Sequence, residues 1–176
     1  MEPMNSTNKL TVNPPLSSEE QTEIDHLLEH YPAAGGASID ALKIIQKHRG
    51  WVSDSSLAAL AEHMNVPMAD LESVATFYNL IFRKPVGENL VHPCNGISCM
   101  LMGYRKVHQR LKQTLNISDG ETTKGNRITL ISLPCLGACD KAPVMLTNDT
   151  LHENVTPDDV DTILKKLEQG TGSGNE

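Results

Sequence analysis

All four cysteines of this chain lie in its second half, as two pairs separated by 35 residues. Cys94 and Cys99 are spaced C-x4-C, and Cys135 and Cys139 are spaced C-x3-C. Each pair lies beside a strand-like segment, on a loop containing a glycine (Gly96 and Gly137). In open α/β folds the loops at one end of a sheet gather in space, so pairs this distant in sequence can converge. Three chemistries compete for such a quartet. A structural zinc takes four thiolates in one tetrahedron. A [2Fe–2S] cluster also takes four, spread over two irons. Thiol–disulfide exchange usually uses C-x-x-C. Neither pair has that tight spacing, which zinc knuckles also favour. The wider loops better suit a binuclear cluster, and their glycines let the backbone approach closely. A Rieske arrangement fits poorly, because Cys139 is followed by Asp140 rather than by a histidine.

The rest of the chain reads as two regions. The first 16 residues are polar and include Pro14-Pro15, which predicts a disordered lead. Ser17 with Glu20 three positions on is a capping signature for a first helix reaching toward Tyr31-Pro32. A second helix is predicted from Ser38 to Gly50, a third from Ser53–Ser56 to Met64, and a fourth over 68–79. Apolar residues recur at helical spacing in each. Residues 17–84 therefore read as a small helical bundle. Pro85 marks a change. The pattern predicts a strand at 88–92, one helix over 99–115 with Leu101, Val107, Leu111 and Leu115 inward, and a strand at 127–133. Two short strands about Asn148-Asp149 follow, then a helix opened by Thr156-Pro157 and running to 168. That order suits a thioredoxin-like α/β sandwich over 85–168. A flexible tail is expected at 169–176. The fold class expected is α+β, a helical bundle followed by a thioredoxin-like [2Fe–2S] ferredoxin domain.

Composition excludes several functions. The chain has 176 residues and a net charge of −7, with only six aromatic residues. The segment 56–74 has a helix-turn-helix outline, but the helix that would read DNA carries no Lys or Arg. Residues 1–84 hold six basic against eleven acidic groups, a net of −5 that repels phosphate. No nucleic-acid partner is expected. No apolar run is long enough to span a bilayer, so no direct membrane insertion is expected. The opening MEPMNSTNKL lacks a secretion or transit pattern, which predicts a reducing cytosol where disulfides are rare. No G-x-G-x-x-G or G-x-x-x-x-G-K-[ST] motif is present to bind a nucleotide. Met100 and Met102 are expected to shield the cysteines from water. Phe77, Tyr78 and Phe82 are expected as core or interface anchors, and the acidic residues mostly as solvated helix faces. His92 is a candidate donor near the cysteines.

At its cysteine loops the chain resembles the E subunit of NADH:quinone oxidoreductase, which is the thioredoxin-like [2Fe–2S] component of respiratory complex I. The matching stretches are ALKIIQKHRGWV (41–52), VATFYNLIF (74–82), CNGISCMLMG (94–103) and CLGACDKAPVM (135–145). With the segments between, the resemblance covers roughly residues 17–167. It implies that Cys94, Cys99, Cys135 and Cys139 hold one [2Fe–2S] cluster. It implies a partner, the FMN- and NADH-binding subunit of the same complex, with which the cluster exchanges single electrons, and neighbouring subunits of the peripheral arm. FMN and NADH then enter only through the partner, and this chain alone has no complete active site. The implied location is cytoplasmic, on the inner face of the membrane through the complex. The same module occurs in NAD-reducing hydrogenases and NAD-dependent formate dehydrogenases. A zinc-stapled, non-redox interaction module is the alternative of a different class.

Overall fold

A computed structural model describes residues 15–170 and divides the chain into two compact units at Pro85/Val86. The first is helical: α1 Ser18–Leu28, a 3₁₀ turn Ala34–Ala37, α2 Ser38–Arg49, α3 Asp54–Met64 and α4 Met68–Phe77. Local chemistry sets most of the ends. Ser17 Oγ accepts the Glu20 N–H at 3.1 Å while Glu20 Oε2 accepts the Ser17 N–H at 2.8 Å, a closed capping box. Ser53 Oγ accepts the Ser56 N–H at the start of α3. Gly50 ends α2 in the left-handed region, φ 80°, where a side chain would be strained. Ser38 is the first residue of α2, and its hydroxyl donates back to the Gly35 carbonyl.

Ile24, Leu42, Ile45, Leu57, Leu60 and Leu71 form the core of this unit, with Leu16 buried among them. Leu16 thus belongs to the fold rather than to a disordered lead; residues 1–14 of that predicted lead lie outside the described residues. α4 ends at Phe77, two positions before the predicted end. Its core face is Leu71 and Ala75, one turn apart, so Phe77 points away and is 78% exposed. Tyr78 is already extended and also exposed, while Phe82 is buried. The segment after α4 is held by Gln46, whose Nε2 donates to the Leu80 carbonyl at 2.9 Å and whose Oε1 accepts the Phe82 N–H at 2.6 Å.

Glu20 corrects the expectation that acidic positions are solvated. It is 2% exposed and takes Arg49 Nε on one oxygen and Arg49 Nη2 on the other, each at 2.6 Å. Arg49 also donates to Ser56 Oγ and to the Pro15 carbonyl. One carboxylate therefore closes the N-terminus of α1 and ties it to the end of α2.

The second unit contains β1 Asn89–Pro93, α5 Ile97–Met102, α6 Tyr104–Leu115, β2 Ile128–Leu130, β3 Met145–Thr147, β4 Thr150–His152 and α7 Pro157–Gly170. The sheet order is β2-β1-β3-β4. β1 runs parallel to β2 in the register Asn89↔Ile128 to Val91↔Leu130, and β3 is antiparallel to both β1 and β4. Asn148, at φ 48°, turns the β3–β4 hairpin. Val107 and Leu111 of α6 and Val160 and Leu164 of α7 pack with Val91, Ile128, Leu130 and Met145. The single helix expected over 99–115 is two helices, because Gly103 takes φ 119° and breaks the ladder. Leu101, expected inward, is consequently 80% exposed. Gln169 and Gly170 complete α7, and the remainder of the predicted tail lies outside the described residues.

The arginine hydrogen bonds to Glu20 are the leading reason that its pKa lies below the ordinary carboxylate value. A depressed carboxylate contributes stability above the unfolded-state pKa of about 4.3 and loses it as pH falls through the folded value. Arg49→Ala should destabilise the protein by about 3–5 kcal/mol near neutral pH, since it strands a buried carboxylate. It should also flatten the acid-side fall in stability. Urea unfolding at pH 7 and at pH 3.5, followed by circular dichroism, measures both effects.

Candidate metal centre

Parallel pairing brings the two cysteine loops to one end of the sheet. β1 runs into Cys94, β2 continues toward Cys135, and the ladder extends to a parallel bridge between Cys94 and Leu133. Asn95 N–H donates to the Leu133 carbonyl at 2.8 Å, and Leu133 N–H donates to the Pro93 carbonyl at 3.1 Å. On the other side, Cys94 N–H donates to the Val144 carbonyl at 3.0 Å. Cys94 is thus clamped between the two strands' extensions before its sulfur makes any contact.

Gly96 lies where the loops meet. A Cβ on it would stand 3.4 Å from Cys94 Sγ and 3.4 Å from Cys135 Cα. Its backbone is an ordinary extended one, φ −60° and ψ 162°, so the glycine serves close approach rather than an unusual turn. Gly137 is the opposite case: at φ 86° it reverses the chain between Cys135 and Cys139. Its N–H donates to Cys135 Sγ at 3.4 Å, and the sulfurs of Cys135 and Cys139 lie 3.4 Å apart.

The four predicted site residues therefore gather, in two unlike pairs. Cys94 and Cys99 are buried, and Cys135 and Cys139 are exposed; all four are free thiols. Tyr104, Ala142 and Val144 pack against the buried pair, with Leu136 and Ala138 at the margin. Cys94 Sγ donates to the Pro134 carbonyl at 3.1 Å. Burial pushes the Cys99 thiol above its ordinary value; a backbone hydrogen bond from Val144 opposes this, and Cys94 and Cys139 add to it. The Gly137 N–H holds the Cys135 thiol below its ordinary value, while the contact with Cys135 raises Cys139. The effects of Cys139 on Cys99 and of Cys94 on Cys139 cross from one loop to the other. Among the described residues, no group of three or more His, Cys, Asp or Glu side chains is arranged to hold one metal ion.

Several neighbouring residues have different roles from those predicted. Met100 and Met102 do not shield the sulfurs but are exposed, together with Ile97, at 77%, and Leu101. In a helix of six residues, turning Cys99 inward turns Ile97 and Leu101 outward. The shielding falls to Tyr104, whose hydroxyl meets Ser132 Oγ at 2.9 Å and whose ring stacks on His108. Its place was hidden by the break at Gly103; a glycine inside a helical pattern was the available signal. His92 is buried, and its Nδ1 donates to the Ile131 carbonyl at 2.8 Å, so this bond orients it toward backbone. Burial lowers its pKa. Lys141 is paired with Glu153 at 2.8 Å.

The profile of the thioredoxin-like [2Fe-2S] ferredoxin family matches residues 24–168. The NADH-quinone oxidoreductase E subunit of Escherichia coli (strain K12) is 42% identical over 151 residues, covering 86% of this chain and 91% of that protein. Its counterpart in Pseudomonas aeruginosa is 43% identical over 150 residues, covering 85% of this chain and 90% of that one. Among solved structures, an NAD+-reducing [NiFe]-hydrogenase in its H2-reduced state superposes with a TM-score of 0.65 at 21% identity. The match spans 80% of this chain but only 24% of the hydrogenase chain, and it shows a shared fold.

Gly96→Val should prise the loops apart, because its branched carbons extend beyond a Cβ already in contact with both. The expected cost is about 1–3 kcal/mol, the usual range for overpacking. Chemical denaturation measures that cost. Faster alkylation of Cys94 in the folded variant than in the parent chain checks the cause; equal rates contradict it.

Proposed function

Since this chain belongs to the thioredoxin-like [2Fe-2S] ferredoxin family, among its NADH-quinone oxidoreductase E subunits, we propose that Cys94, Cys99, Cys135 and Cys139 together hold its one [2Fe-2S] cluster. The chain is an electron-transfer component of a multi-subunit oxidoreductase. The observation that carries the ligand assignment is the parallel β1–β2 pair, which delivers both thiol pairs to one end of the sheet around Gly96. The donor chemistry fits: four thiolates satisfy two irons, two to each.

When bound, the cluster supplies one-electron redox chemistry, exchanged with the FMN of the partner subunit. The residues of this chain hold and insulate it. Cys94 and Cys99 would ligate from the side lined by Tyr104, Ala142 and Val144, which excludes water. Cys135 and Cys139 ligate from the exposed side, where the Gly137 N–H neutralises part of the thiolate charge. A backbone donor to a ligand sulfur raises the reduction potential.

The finer partner assignment is the FMN- and NADH-binding subunit of the complex, with neighbouring peripheral-arm subunits. Ile97, Met100, Leu101 and Met102 support a docking face beside the ligand loops. They expose an apolar ridge next to Arg105 and Lys106, which are also exposed. An interface there would set the partner's cofactor against the cluster. Among the described residues no helix is long and apolar enough to cross a membrane. This suits a peripheral position on the cytoplasmic, inner face, reached through other subunits. Identity of 42% with these E-subunit relatives favours NADH:quinone oxidoreductase as the parent complex over a hydrogenase, where the likeness is one of fold.

Anaerobic reconstitution of the full chain should yield a brown protein whose visible absorption bleaches with dithionite. It should hold about two irons and two sulfides per chain, and Cys→Ser at any of the four positions should lower both. A colourless protein with about one zinc would overturn the assignment. Leu101→Glu should leave the cluster content unchanged and weaken association with the flavin-bearing subunit by at least about 1 kcal/mol. Titration calorimetry with that subunit reads the effect.

A further inference from the structure

We propose that Cys135 and Cys139 form a reversible disulfide in the cluster-free chain, making this pair a redox modification site that controls loading of the cluster. The proposal rests on the four-thiolate reading above and adds a regulatory step before the cluster is in place.

Proximity and exposure single out this pair. The two sulfurs are 3.4 Å apart. Closing them to the roughly 2.05 Å of a disulfide requires a further approach of little more than an ångström. Both side chains are exposed and stand on one short loop reversed at Gly137. Cys94 and Cys99 also influence one another, but both are buried, and Cys94 Sγ is engaged with the Pro134 carbonyl. A disulfide reagent in solution therefore reaches only the second pair, since accessible thiols react and buried ones are inert. The loop closed by the bond is short. Loop-closure stabilisation is smallest for short loops, so this disulfide should be readily reduced rather than structural.

The oxidant required is a small-molecule disulfide of the glutathione class. One thiolate of the pair attacks a sulfur of the oxidant, whose S–S bond breaks; a mixed disulfide forms and one reduced thiol leaves. The neighbouring thiolate attacks the protein sulfur of that mixed disulfide and expels the second thiol. The protein has lost two electrons and two protons, and the oxidant has gained both as two thiols. A reducing dithiol reverses the sequence. While the bond stands, two of the four ligands are withdrawn and assembly stops. Once the cluster is in place both sulfurs are engaged and the exchange is blocked.

The test uses the full chain, stripped of cluster, reduced, and incubated anaerobically with oxidised glutathione. It is then unfolded, alkylated and digested with trypsin. The peptide 128–141 carries both cysteines. It is expected to appear lighter by two hydrogens than its dithiol form, while Cys94 and Cys99 carry the alkyl label. The oxidised chain should take up iron and sulfide only after a dithiol is added, and the loaded chain should retain the thiol form of 128–141 on release. Cys139→Ser should stop at glutathione on Cys135. A wild-type chain that stops at the mixed disulfide, or that oxidises Cys94 and Cys99 first, overturns the proposal while leaving the cluster reading intact. A fully reduced chain that takes up no iron overturns the four-thiolate reading, and with it the control of loading, whatever peptide 128–141 shows.

Discussion

The parallel pairing of β1 with β2 is the constraint on which the metal centre depends. A parallel pair sends both strands out at the same end of the sheet, whereas an antiparallel pair would send them out at opposite ends. Here that end carries Cys94 on one continuation and Cys135 on the other, locked by the bridge between Cys94 and Leu133. The crossover through α5 and α6 is what allows a parallel pair, and α5 uses its first turn to swing Cys99 back toward Cys94. The rest of the site consists of details on this frame: Gly96 for contact between loops, Gly137 for the reversal, and Tyr104 for the seal.

The frame treats the two pairs unequally. Cys94 and Cys99 belong to a buried apolar group with Tyr104, Ala142 and Val144. Cys135 and Cys139 lie on a loop open to solvent, where the Gly137 N–H donates to Cys135 Sγ. A cluster held by these four cysteines would have two ligands on the buried side and two on the exposed side. Cys135 and Cys139 are the pair that a partner surface or a small oxidant can reach. The exposed ridge of α5 beside the loops suits a protein that works only when another surface covers it.

The helical unit rests on a different kind of interaction. Its apolar core is ordinary, but two charged knots pin its chain ends. Glu20 joins the cap of α1 to Arg49, and Arg83 reaches the Val52 carbonyl, Asp54 and Glu72. A bidentate arginine–carboxylate pair fixes orientation as well as contributing energy. Buried as it is at Glu20, the pair costs desolvation that only good geometry offsets. The segment 78–82 is held instead by Gln46, and Phe77 and Tyr78 at its start are exposed rather than packed.

Features that depend on a few neighbouring residues were legible in the amino-acid string. The capping box at Ser17, the stop at Gly50, the turn at Asn148 and the strand segments all follow from local backbone preferences. So did the chemistry available to four thiols and the family that arranges them. Features that depend on distant partners were not. Nothing near Glu20 announces Arg49, 29 positions away. Nothing in MLMG shows that Cys99 alone turns inward and leaves Leu101 in solvent, since periodicity gives a face but not which face the fold covers. The sequence by itself determined which side chains are able to bind metal, and roughly which elements carry them. Only the tertiary structure decided that the two loops leave the sheet at one end, and that one pair of sulfurs is buried and the other open. Strand direction and burial are properties of long-range pairing, which no local segment encodes.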